Sequence, residues 1–305
     1  MATERLRGVP QIATVTRPVP HQVKAMGSIA KALRAKGVIV RETYDRVPPE
    51  PVVFAWSWKW CKEILDAHPD TIVCTLDHGL FVPRNQTAVT GWFGLNGLGE
   101  HAVVRDGGAR LRAKGWDAGI KPWRTGGKTA LLVGQCYNDV QILDHLEDYG
   151  AWLCKVAHQL TEEGWRVMFR PHPVQRRNDL SRYPRVAAFT SGKTLQDDLD
   201  SEDVGCVVGF NSNACLDAFM AGVPDVRVYN RGSMLWPIVK NGRADPQLRQ
   251  ELANMLAWCQ WEPAEIENGE WAEYHVPIMQ RMLAIGPRYP WHDVVITPET
   301  GGRDQ

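Results

Sequence analysis

Residues 204–229 read VGCVVGFNSNACLDAFMAGVPDVRVY, and their pattern decides the architecture. Val204–Val208 is a short valine-rich run of the length and character of a buried strand. The small polar turn Gly209-Phe-Asn-Ser-Asn213 follows, then helical spacing from Ser212 to Ala221, then Gly222-Val-Pro224 and a second strand, Val226–Tyr229. A glycine just past the last helical residue, with a proline shortly beyond, is a helix stop signal. Strand, helix and strand at this spacing make a βαβ unit, and hence a parallel sheet.

The alternation extends in both directions. Upstream, Thr129–Gly134 (TALLVG) reads as a strand and Ile142–Glu163 as a helix up to Gly164. Arg166–Phe169 and Val186–Phe189 follow as strands, with a helix near Leu195–Asp200. Downstream, Gln247–Gln260 is helical after Pro246, and an acidic, tryptophan-bearing stretch runs on to His275. The N-terminal half repeats the theme: strands at Gln11–Arg17, Val38–Tyr44, Val52–Trp56 and Thr71–Leu76, helices at His21–Lys36 and Lys59–Ala67. Between the halves, Gly79–Lys128 holds eleven glycines and little periodicity, as functional loops and linkers do. The expected fold is therefore α/β, two Rossmann-like doubly wound domains. Residues 1–125 form the first and 126–280 the second, with 281–305 returning to the first.

The 305 residues suit two domains, and 44% hydrophobic content excludes a wholly disordered chain. No 18-residue apolar run is present, and the N-terminus lacks the apolar core of a secretory signal, so cytoplasmic residence is expected. Seven scattered cysteines without a CxxC read as reduced, buried thiols. Net charge is zero, yet residues 1–128 sum to +8 and the remainder to −8, which points the first half at something anionic.

In open α/β sheets chemistry gathers beyond the carboxyl ends of strands. There the sequence places Arg170-Pro171-His172-Pro173, two prolines fixing the backbone around one histidine. An imidazole held so can donate to a phosphate leaving group, with the Arg170 charge beside it. Ser212 or Asn213 can cap the next helix and contact the same anion, since a helix N-terminus presents unpaired amides and a positive dipole end. Asp217, one turn on, is placed for a ribose hydroxyl pair, and Gln135 opens the polar loop after Thr129–Gly134. In the first half, Asp77 ends a strand before His78-Gly79 and is placed to be a general base. The acidic run Asp197-Asp198-Leu-Asp200 reads as a solvated helix face, not a metal site. Neither a P-loop nor a strand-linked GxGxxG occurs, so neither a P-loop ATPase nor a simple NAD enzyme is supported.

Taken together, the acid-Gly turn at Asp77–Gly79, the Arg-Pro-His-Pro turn and the Ser-containing turn leading into acid-Ala-x-x-x-Gly-x-Pro resemble a GT-B-fold glycosyltransferase. They are similar to the motifs of bacterial sialyltransferases and of the Kdo transferases of capsule synthesis. The Arg-Pro-His-Pro turn is also shared with teichoic-acid polymerases. The likeness spans Thr129–Tyr229 and rests on one tripeptide in the N-terminal half. It implies Asp77 as catalytic base, His172, Ser212 and Asn213 on the donor phosphate, and Asp217 near the donor ribose. Gln135, Arg170 and Asn211 complete the expected donor set. His78 stands where those families carry a second acid, and Asn211-Ser212-Asn213 replaces a Ser-Ser or Ser-Thr pair. The donor is accordingly a UDP-sugar or a CMP-sugar, with no metal strictly required and with inversion expected from a single displacement.

For the acceptor, the half that usually holds it is the basic one. Arg110, Arg112, Lys114, Lys121 and Arg124 are interleaved with Trp116 and Trp123, as suits a nucleic-acid strand. With His78 they form the expected acceptor set. The small size also resembles bacteriophage DNA glucosyltransferases, which act on hydroxymethylated pyrimidines flipped from the duplex. DNA is thus the favoured acceptor, with residence in a host cytoplasm if phage-encoded. The alternatives are a surface polysaccharide or lipid-linked glycan, a sugar-nucleotide epimerase of the same fold, and a non-catalytic DNA-binding protein. Oligomeric state is not readable.

Overall fold

The computed structural model of the chain describes residues 11–15, 19–45, 50–81, 84–101, 103–136, 139, 142, 146, 148–173, 194–285 and 295–296. The chain forms two compact units, one of residues 1–116 with 253–305 and one of residues 117–252.

The first unit begins with β1 (Gln11–Val15), α1 (Pro20–Ala35), β2 (Ile39–Thr43), β3 (Val52–Trp56), α2 (Trp58–Ala67) and β4 (Ile72–His78). β5 (Ala88–Trp92), β6 (Val103–Val104) and α3 (Ala109–Ala113) follow. α1 buries Met26, Ile29, Ala30 and Leu33, the three- and four-residue spacing that keeps one helix face on a sheet. β3 is buried along its whole length, as a central strand covered on both faces must be.

The second unit contains β7 (Thr129–Val133), α4 (Tyr149–Glu162), β8 (Arg166–Arg170) and α5 (Leu195–Asp200). It continues with β9 (Val204–Gly209), α6 (Asn213–Met220), β10 (Asp225–Val228), β11 (Val239–Lys240) and β12 (Arg243–Ala244). Its sheet runs β11-β12-β10-β9-β7-β8, with β7 parallel to both β8 and β9. The order reverses between β7 and β9, and it is beyond the carboxyl ends of the strands at such a reversal that open α/β sheets bind ligands. Two glycines of this unit are dictated by close packing, Gly209 at the carboxyl end of β9 and Gly222 after the following helix. A Cβ at Gly209 would meet Cys215 Sγ at 2.7 Å and Val133 Cγ2 at 2.8 Å. One at Gly222 (φ +81°) would meet the Pro122 carbonyl oxygen at 2.0 Å.

The chain leaves the second unit within α7 (Arg249–Cys259) and re-enters the first as β13 (Gln260–Trp261), α8 (Pro263–Glu267), α9 (Glu270–Ile285) and β14 (Val295–Ile296). β13 pairs antiparallel with β5, completing the order β13-β5-β4-β3-β1-β2, while β14 pairs with β6. Trp261, Trp271, Met279 and Met282 join Ile12, Leu33, Phe54 and Leu76 in one core, and Trp60, Cys61 and Ile64 of α2 form another with Val53 and Val73.

The unit boundaries fall before residues 117 and 253, where 126 and 281 were expected. β13 and α8 supply the physical reason, because their pairing with β5 and packing on α1 tie residues well before 281 to the first unit. Both sheets are mixed and not purely parallel: β5 runs antiparallel to β4, and β12 to β10. The glycine-rich segment therefore contains strand as well as loop. The expected strand at Val186–Phe189 lies outside the described residues. Among the described residues no helix is long and apolar enough to cross a membrane.

Candidate functional site

Three turns of the second unit meet at the carboxyl edge of its sheet. After β7, the Gln135 side chain clasps Asn211 in the turn after β9: its Nε2 donates to Asn211 Oδ1, and the Asn211 backbone N–H donates to its Oε1 at 2.9 Å. The Gln135 backbone N–H donates to the Tyr149 hydroxyl at 2.9 Å. Cys136, the next residue, places Sγ 3.2 Å from His172 Nδ1 in the turn after β8. β8 is held to the first turn by the Gly134 N–H, which donates to the Arg170 carbonyl at 2.8 Å. Ser212 is the N-cap of α6, its hydroxyl accepting from the Ala214 N–H at 3.3 Å. Asn213 opens the helix, and its Oδ1 is buried with no hydrogen-bond partner among the described residues. Asp217 is half-buried one turn further on.

Electrostatics favour a neutral His172. Burial lowers its pKa, and the Asp139 charge partly offsets that. Arg170 does not supply the expected charge beside it. Its guanidinium is buried, with Nη1 donating to Asp198 Oδ2 at 2.7 Å. Within the acidic run Asp197 and Asp200 are exposed, as a solvated face requires, with Asp197 closing a capping box with Thr194, whereas Asp198 is buried in that pair. An aromatic group that the sequence did not reveal backs the edge. Tyr149 stacks on Trp152 at 5.5 Å, and Trp152 meets Phe210 and Tyr229 edge-on at 5.3 and 5.5 Å.

The first unit carries a different edge. Alternation along β4 puts Ile72, Cys74 and Leu76 in the core under α1, so His78 projects on that side and Asp77 on the side of α2. His78 lines a pocket of about 200 Å³ together with His21, Lys24 and Ser28 of α1, Trp56, Thr87, Trp261 and Glu267. The His21 and His78 rings stack at 5.4 Å, and Trp56 meets them edge-on at 5.7 and 5.5 Å. Asp77 is half-buried, and one carboxylate oxygen accepts from the His78 N–H at 2.7 Å. Beside Trp56, Ser57 adopts φ 82°, a strained conformation for a non-glycine residue at a strand end. Neither that strain nor the partnership of His21 with His78 was visible in the sequence.

The basic-aromatic stretch is not an open platform. Its residues divide between the two units, Arg110, Arg112, Lys114 and Trp116 in the first and Lys121, Trp123 and Arg124 in the second. Arg110 is a core group: it donates to Glu265 Oε2 at 3.0 Å and to the Gln260 carbonyl at 2.8 Å, and lies 4.3 Å from the Trp261 ring centre. Lys114 pairs with Glu262 at 2.8 Å and Glu265 at 3.1 Å. Trp116 is buried against Phe81, and Trp123 packs on Phe219 under the Arg249 guanidinium. Arg124 donates to the carbonyls of Leu199 and Ser201. Arg112 and Lys121 are exposed, the former bonded to the Gly107 carbonyl. Lys36, Arg110 and Lys114 of this half pair with carboxylates distant in sequence, Glu273, Glu265 and Glu262.

Comparison with solved structures places this architecture. KpsC of Thermosulfurimonas dismutans, a beta Kdo 2,7 transferase, superposes with a TM-score of 0.52 at 12% identity, over 84% of this chain and 98% of that one. A second KpsC structure from that organism, a beta Kdo 2,4 transferase, gives 0.49 at 13% identity, over 87% and 96% of the two chains. The chain thus shares the GT-B-like α/β fold of the first of these transferases. No family model matches the sequence, and no curated protein matches it.

Proposed function

We propose that the protein is a Leloir-type glycosyltransferase, moving a sugar from a nucleotide-sugar donor to a hydroxyl of a carbohydrate acceptor such as a surface polysaccharide. The observation that carries this reading is the convergence of Gln135, His172, Asn211 and Ser212 at the edge where the second sheet reverses its order. The ligand we assign to this edge is the pyrophosphate or phosphate of the donor. The amide end of the eight-residue helix α6 and a neutral imidazole between two prolines are preorganised donors for charge that develops as the glycosidic bond breaks.

The chemistry is a single displacement. An acceptor oxygen attacks the anomeric carbon, the bond to the donor phosphate breaks, and the acceptor proton passes to a carboxylate, for which Asp77 is the candidate. Configuration at the anomeric carbon inverts. The pocket of His21, Trp56 and His78 in the first unit, with aromatic walls and a few polar groups, suits part of an acceptor whose reacting hydroxyl extends past the carboxyl end of β4 to Asp77 on the other face of that strand. The resemblance of the motifs and the fold shared with a Kdo transferase support the same class. An acceptor in duplex DNA has weaker physical support, because the Arg110 side chain and Trp116 are buried and Lys114 and Arg124 are engaged by Glu262 and by the Leu199 and Ser201 carbonyls, which leaves Arg112 and Lys121 exposed.

Incubation with UDP- and CMP-sugars and oligosaccharide acceptors, followed by mass spectrometry and NMR of the product, tests the reading. Acceptor-dependent glycosylation with inversion is expected. Retention overturns the single displacement, and isomerisation of donor alone assigns the protein to epimerases instead.

A further inference from the structure

Cys61, Cys74, Cys206, Cys215 and Cys259 are buried, as expected for structural cysteines, whereas Cys136 and Cys154 are part-exposed. Of these two, Cys136 lies at the candidate donor edge, in contact with His172. Its Sγ lies 3.2 Å from His172 Nδ1, within hydrogen-bond reach for sulfur. Both partners sit on rigid supports. Cys136 follows Gln135, which is tied through its backbone to Tyr149 and through its side chain to Asn211. His172 is bracketed by Pro171 and Pro173.

We infer that Cys136 positions His172: the thiol donates its S–H to Nδ1 and fixes the imidazole as the tautomer that carries its hydrogen on Nε2. The pair holds one hydrogen between two neutral groups, because burial raises the Cys136 pKa and lowers that of His172, with the Asp139 charge raising both. These directions disfavour the thiolate–imidazolium pair of a cysteine nucleophile, which needs a depressed thiol pKa and a raised imidazole one. Of the two neutral arrangements, S–H to nitrogen is preferred, since an imidazole nitrogen accepts well and a thiol sulfur poorly. The opposite arrangement would present a nitrogen lone pair from Nε2 to an anionic ligand. The tautomer follows from the Cys136–His172 contact and the acceptor strengths of nitrogen and sulfur; its purpose, an Nε2–H directed at a donor phosphate, rests on the function proposed above.

The experiment is a long-range ¹H–¹⁵N correlation of His172 in the full-length protein and in its C136S and C136A variants, each checked for unchanged melting temperature. Wild type is expected to show the Nε2–H tautomer, C136S to keep it through a hydroxyl donor, and C136A to move towards a mixture. An Nδ1–H tautomer in wild type, or an unaltered one in C136A, overturns the inference. In the transfer assay C136A should lower kcat about two- to fivefold with acceptor KM unchanged, C136S restoring most of it, since only the fraction of imidazole in the Nε2–H tautomer donates. A tautomer change with no change in kcat would leave the positioning role of Cys136 standing and remove the role of His172 on the donor phosphate.

Discussion

The carboxyl edges of the two sheets are built from opposite materials. In the second unit short polar side chains interlock across turns, Gln135 with Asn211 and Cys136 with His172, beside the N-terminus of α6. In the first unit two imidazoles and two indoles wall a pocket with Lys24 and Glu267 at its margin. Interlocked donors on a rigid frame suit a compact anion whose charge must be met without reorganisation. Aromatic walls suit a ring with two apolar faces. A group-transfer enzyme needs both kinds of surface, one for the leaving group and one for the acceptor. Neither alone would argue for transfer.

Four substitutions test this contrast. The largest expected effect is at the base: Asp77→Asn should lower kcat by roughly 10²–10⁴-fold with donor binding intact, measured by steady-state kinetics beside donor titration. Next, His172→Ala should reduce kcat/KM by about 10²–10³-fold with little change in melting temperature, because a preorganised donor is lost from a half-buried turn residue. Should the melting temperature fall as steeply as the activity, the histidine is a packing element and the contrast between the edges fails.

The third test concerns the support of the acceptor edge. Glu265→Gln leaves Arg110 buried with a weakened partner and should cost about 3 kcal/mol of stability in chemical denaturation. Burial pushes the Glu265 carboxyl up, but the hydrogen bonds and charge of Arg110, the Glu262 N–H and Lys114 together outweigh it and the net shift is downward. Its contribution is therefore complete above the ordinary carboxylate range and fades as pH falls through the lowered folded value. The wild type should lose stability on acidification more steeply than the Gln variant. The smallest effect is expected at the pocket itself, where His78→Ala should raise acceptor KM several-fold and leave kcat close to wild type, since an oriented contact contributes about 1 kcal/mol. A fall in kcat instead would transfer the role of base from Asp77 to His78.

What the sequence disclosed follows from the range of the interactions involved. Local patterns place the strands and helices around Thr129–Val133, Val204–Gly209 and Asn213–Met220 within a residue or two, since period and stop signals act over a few residues. Ser212 as N-cap was legible for the same reason. The pairs that define the site were not. Gln135 and Asn211 are 76 residues apart, Cys136 and His172 are 36, and Arg110 and Glu265 are 155. A run of arginines, lysines and tryptophans reads as a surface until distant carboxylates and carbonyls are seen to meet it. The strand β5 was hidden by glycines that, in isolation, signal a loop. Arg170 shows the same lesson within a motif: its neighbours in sequence suggested a ligand contact, and its neighbour in space is Asp198.

The central claim is that the polar edge of the second unit binds a nucleotide sugar through His172. Isothermal titration of UDP- and CMP-sugars, with thermal shift in parallel, into wild type and His172→Ala tests it most directly. One donor should bind the wild type and raise its melting temperature by mass action, and the variant should keep its unliganded melting temperature yet bind that donor at least tenfold more weakly. Equal affinity in both proteins, or no binding of any donor to the wild type, would contradict the account.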